Sequence, residues 1–142
     1  MPPSPKRSRK VQVSLLGRMD EWADSWAGVA EDKPIGWDLV AELRPFMMHL
    51  QEQGRSAKTL RHHLDNLWAI GGEIIRSLNY DPSLRKVKPR KLLLDAIIMG
   101  EAPLVRHATE EEQRSFDYTA GRLLKFLEQS ENHLLNHPKV KK

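Results

Sequence analysis

The amino-acid sequence predicts an all-α protein, a compact bundle of about four to five helices. Leu, Ile, Phe and Met recur at spacings of three and four along most of the chain, which places them on one face of successive helices. No strand alternation competes: "VQVSLL" at 11–16 is the one alternating run, and it is too short to define a sheet. The 142 residues are 39% hydrophobic and 30% charged, the balance of a single folded domain with a modest core, too small to enclose a large catalytic domain as well.

In chain order, "MPPSPKRSRK" combines three prolines with a basic run and has nothing to bury. Residues 1–18 are therefore expected to form a flexible basic tail. It either aids solubility or touches nucleic acid through Lys6, Arg7, Arg9 and Lys10. A short helix is expected over 19–30, where Trp22, Trp26 and Ala30 share a face and "EDKP" supplies the stop.

From Asp38 the chain reads helical through Leu39, Leu43, Phe46, Met47 and Leu50, with Pro45 either kinking the helix or starting another. Gly54 is a C-terminal stop, and Ser56 stands at the N-cap of the next helix with Thr59 three residues on. Leu60, Leu64, Leu67, Trp68, Gly71, Ile74, Ile75 and Leu78 then form the clearest apolar stripe in the chain. Gly71 and Gly72 cost roughly 1 kcal/mol each against alanine inside a helix, so the pair predicts a kink or a close approach by another element. "NYDPS" is a turn, and a helix beginning at Pro89 buries Leu92, Leu93, Ala96 and Ile97 before Gly100 and Pro103 end it. Thr109 and Glu112 form a capping box for the last helix, carried by Phe116, Thr119, Ala120, Leu123, Leu124 and Leu127. The helical domain is thus expected over 19–130, with a flexible C-terminal tail over 131–142.

With no cysteine, disulfides, thiol redox chemistry and Cys-based zinc sites are excluded. No run approaches eighteen apolar residues; the longest, "KLLLDAIIMG" at 91–100, is broken by Asp95, and the N-terminus has no signal-like apolar core. A cytoplasmic protein away from membranes is the expectation. The net charge of +4 is less informative than its distribution. "KRSRK" at 6–10 carries four positive charges in five residues and "RKVKPRK" at 85–91 five in seven, while acids gather in "DEWAD" and "EEE". Such polarity suits an anionic partner.

The stretch "HLQEQGRSAKTLRHHLDNL" at 49–67 resembles the N-terminal core-binding domain of tyrosine recombinases and phage integrases. In that family a helix ends in a glycine-containing turn, a Ser opens the next helix, a Thr and an aliphatic follow, and an aromatic comes four residues after the Thr. Ser56, Thr59 and Leu60 match; the usual tyrosine position is His63 here. The resemblance covers about residues 38–80, with the helix from Thr109 to Gln129 in the role of the closing helix. It implies a compact orthogonal, SAM-like bundle that clamps duplex DNA through helix starts and basic side chains, a role that would fall on Arg55, Lys58, Arg61 and His62. The family's Arg, Lys, H-x-x-R and nucleophilic Tyr belong to a separate catalytic domain and have no counterpart here. A non-catalytic DNA-binding module of mobile-element or recombination type is therefore expected, with no enzyme activity and no cofactor.

The residues alone reach a similar point. A helix N-terminus offers unpaired N–H groups and a partial positive charge, and Ser56 sits there beside Arg55 and Lys58, forming a phosphate-binding corner. Arg61 and His62 lie on the wet side of the same helix, where plain solvation explains them equally well. Arg85, Lys86, Lys88, Arg90 and Lys91 are a second candidate phosphate track. Metal binding is not expected: His62 and His63 are adjacent and point about 100° apart on a helix, and His133 with His137 has no third ligand. The alternative function is a helical protein-interaction module whose aromatic contact face includes Trp22 and Trp26.

Overall fold

The chain reverses at Gly54, which adopts φ +80°, a conformation that suits a residue without Cβ. The computed structural model describes residues 15–135, with side chains to residue 131; Lys6, Arg7, Arg9 and Lys10 lie outside the described residues. Around that reversal, the N–H of Arg55 donates to the carbonyl of Leu50 (3.2 Å) and that of Gly54 to Gln51 (3.0 Å), closing the end of the preceding helix. Ser56 then opens the next, its Oγ accepting the N–H of Thr59 at 3.1 Å. These local bonds set up the central hairpin, α2 (Asp32–Glu52) against α3 (Ala57–Tyr80).

Among the described residues three further helices complete the compact all-α bundle, α1 (Trp22–Trp26), α4 (Pro89–Ala96) and α5 (Glu110–Leu135), and residues 15–17 are helical as well. Short 3-10 turns over Arg18–Glu21, Pro82–Lys86 and Ile98–Gly100 connect them, and no strand occurs among the described residues. The start of α5 is the expected capping box: the N–H of Thr109 donates to Glu112 Oε1 at 2.9 Å, and that of Glu112 to Thr109 Oγ1 at 3.0 Å. Leu39, Leu43, Phe46, Met47 and Leu50 from α2 meet Leu60, Leu64, Leu67, Ile70, Ile75 and Leu78 from α3, and Leu123 and Leu127 of α5 close the core.

Several expectations need correction. The helix expected over 19–30 is only a 3-10 turn followed by α1, and Ala30 lies beyond it. "EDKP" begins α2 instead of ending α1: Pro34 falls in the first turn, where its missing N–H has no helical partner to lose. Of the two roles open to Pro45, starting a second helix is not taken, since α2 runs through it; it and Ala41, whose carbonyl loses the usual bond, are both exposed, so water can satisfy that group. The folded region exceeds 19–130, since Leu15 and Leu16 are buried and α5 continues to Leu135. Trp68, expected in the core stripe, is 46% exposed at its edge. Trp22 is buried and Trp26 half-buried, so neither offers the partner-binding face assigned to them.

The glycine pair is explained by Trp26. A Cβ on Gly71 would overlap the indole of Trp26, with Cη2 only 2.6 Å away, so the close approach belongs to α1 crossing α3. The indole N–H of Trp26 donates to the Trp68 carbonyl and that of Trp68 to Ser25 Oγ, both at 3.0 Å, fastening the short helix on the long one.

Candidate nucleic-acid interface

The first turns of α3 stand beside the middle of α5, and a cleft of about 740 Å³ opens between them. Arg55, Lys58, Thr59, Arg61, His62, His63 and Asp65 line it from one side, Tyr118 and Arg122 from the other. Four permanent cations thus face one carboxylate. Ser56 caps the helix at the same end, with its side chain engaged by Thr59. The Arg122 guanidinium lies 6.0 Å from the Tyr118 ring centroid, and the Tyr118 ring stacks over His63 with 6.0 Å between centroids.

A polar seam holds the two walls together. Asn66 Nδ2 approaches Thr119 Oγ1 at 2.8 Å, Ser115 Oγ at 3.0 Å and the Ser115 carbonyl at 3.1 Å. His63 Nδ1 and Thr119 Oγ1 share a hydrogen bond of 2.8 Å, and His62 Nε2 and Ser115 Oγ one of 2.7 Å. His63 is buried on this seam, with Phe46 edge-on at 6.0 Å. Burial, together with the positive charges of His62, Arg122 and Arg55, pushes its pKa down to about 4. His63 is therefore a neutral ring packed between α3 and α5.

Arg55, Lys58, Arg61 and His62 are brought together as the sequence suggested, whereas Tyr118 and Arg122 were missed. They are four apart and share one face of α5, but nothing local reveals that this face meets the start of α3.

The second basic run does not join them. Arg85 forms a 2.8 Å ion pair with Asp32, whose side chain is fully buried. Arg90 bridges Glu42 at 2.9 Å and Glu131 at 3.3 Å, and Lys91 pairs with Asp95 at 3.0 Å. None of these, nor the exposed Lys86 and Lys88, lines the cleft. Two of the five side chains expected to follow phosphates, Arg85 and Arg90, instead tie α4 and its preceding turn to the bundle, while Lys91 pairs within α4 itself. Burial tends to raise the Asp32 carboxyl, but the N–H groups of Gly28 and Val29 and the Arg85 guanidinium outweigh it and hold its pKa below the usual range.

Among the described residues no group of three or more His, Asp or Glu side chains is placed to hold a metal ion, and no helix is long and apolar enough to cross a membrane. No family model, curated protein or solved structure matches this chain.

Proposed function

We propose that this chain is a non-catalytic nucleic-acid-binding module that grips the phosphate backbone in the cleft between α3 and α5. The convergence of Arg55, Lys58, Arg61 and Arg122 on one cleft supports this reading most directly. Phosphate contacts of this kind position a protein on its strand without reading sequence. The resemblance of residues 49–67 to the recombinase core-binding domain points to DNA and to a SAM-like, mobile-element or recombination setting. The competing reading, a protein-interaction module centred on Trp22 and Trp26, loses its contact face to burial of Trp22 and the packing of Trp26 on Gly71.

Fluorescence anisotropy with labelled duplex and single-stranded DNA tests the proposal, with salt raised from about 50 to 200 mM. Binding that weakens steeply with salt and is lost when Arg55, Lys58 and Arg61 become alanine is the expected result. Absence of binding at the lowest salt overturns it.

A further inference from the structure

The basic cleft does not end at His62 and Asp65. Both residues also line a second opening of about 720 Å³, which continues along the α3–α5 groove past Asn66, Trp68, Ala69, Glu111, Glu112, Ser115 and Phe116. The chemistry changes across that shared boundary. Cations give way to the carboxylates Asp65, Glu111 and Glu112, set around two aromatic rings. Trp68 leaves 46% of its surface open, while its indole N–H is held by Ser25 and its orientation is set before any ligand arrives.

A phosphate backbone lying along Arg55, Lys58, Arg61 and Arg122 would be repelled on entering this second cleft. A nucleobase would not, because it is uncharged, has a π face for Trp68 and carries N–H donors for the carboxylates. Resting on the phosphate-binding reading above, we propose that the second cleft takes one unpaired amino-bearing base of the bound strand, guanine above the others. Guanine presents N1–H and N2–H side by side, so it can donate twice to a single carboxylate. Adenine and cytosine offer an exocyclic amino group beside a ring acceptor, and thymine flanks its one N–H with two carbonyls that face carboxylates unfavourably. A base inside a duplex has neither its ring face nor its pairing edge available, so the site selects single strands or extruded nucleotides.

The test uses the full chain with oligothymidylate and the same strand carrying a single internal guanine. The guanine strand should bind several-fold more tightly. Trp68→Leu, which keeps apolar bulk and removes the π face, should weaken that strand by roughly tenfold, as loss of one stacked base does. It should leave duplex affinity and its salt dependence as they were. Glu111→Gln should tighten binding of both strands by relieving repulsion, yet reduce the ratio between them. Equal affinity for the two strands, or equal weakening of single strand and duplex by Trp68→Leu, overturns the base site. Uncharged guanosine separates this proposal from the one beneath it, since it needs no basic cleft. It should quench tryptophan emission in the native chain and not in Trp68→Leu. Quenching without any oligonucleotide binding would sink the phosphate grip, and with it the strand-bound form of this proposal; oligonucleotide binding without quenching would sink the base site alone.

Discussion

His63 gives this fold a sensitivity to mild acid that can be worked out in advance. The folded ring is held neutral with a pKa of about 4, against 6.5 for an unperturbed histidine. Below pH 6.5 the unfolded chain takes up a proton that the folded chain refuses, so stability falls with pH and the loss is complete near pH 4. Each unit of separation corresponds to about 1.4 kcal/mol, so the whole window removes roughly 3 kcal/mol. That is a large share of the stability of about 5–15 kcal/mol typical of small domains. Asp32 acts in a separate window. Its folded pKa lies below 3.8, so its contribution persists until the pH falls through that depressed value.

The assay is urea unfolding of the native chain and His63→Asn at several pH values between 7.5 and 4.5. At pH 7.5 the variant is less stable, because it loses ring packing on Phe46 and Tyr118. The gap should narrow steadily below pH 6.5 and approach closure or reversal by pH 4.5, while groups common to both proteins cancel. A gap that stays constant with pH, or a His63 ring resonance that titrates near 6.5, would mean that the folded ring is not held neutral.

Gly71→Ala should destabilise the fold by about 1–3 kcal/mol through overpacking against Trp26, measured by thermal unfolding with a shift in tryptophan emission as α1 moves. Met99 sits at φ +65° with 86% of its surface exposed, so Met99→Gly should raise stability by about 1 kcal/mol in the same melts. In the anisotropy assay, Arg122→Ala should weaken DNA binding and reduce the salt slope by about one, whereas Arg90→Ala should leave binding unchanged and lower the melting temperature.

Much of the scaffold was legible because its signals are local. Gly54, Ser56, Thr59, Thr109 and Glu112 act within a few residues of themselves, and the Leu60–Leu78 stripe is periodic. Reading failed where a partner distant in sequence decides the outcome. The sequence leaves Trp26 open to packing on the domain or on a partner, and it is Gly71, 45 positions away, that takes it; Arg85 and Arg90 are likewise claimed by the distant Asp32, Glu42 and Glu131. Proline occurs at both ends of helices, so Pro34 in "EDKP" does not by itself say which end it marks, and here it lies in the first turn of α2. In the candidate site, the half belonging to α3 was visible in "GRSAKTLRHH". Arg122 and Tyr118 were not, since the register between α3 and α5 is set by buried His63, Asn66 and Thr119.

The Asp32–Arg85 pair also joins the first residue of α2 to the 3-10 turn after α3, across 53 positions of sequence. One Asp32 oxygen accepts the N–H groups of Gly28 and Val29, at 2.8 and 3.2 Å, while the other meets the guanidinium carried by the 3-10 turn after α3. Swinging Arg85 away would leave a fully buried carboxylate without its counter-charge, so the start of α2 and the turn after α3 are energetically coupled across the sequence.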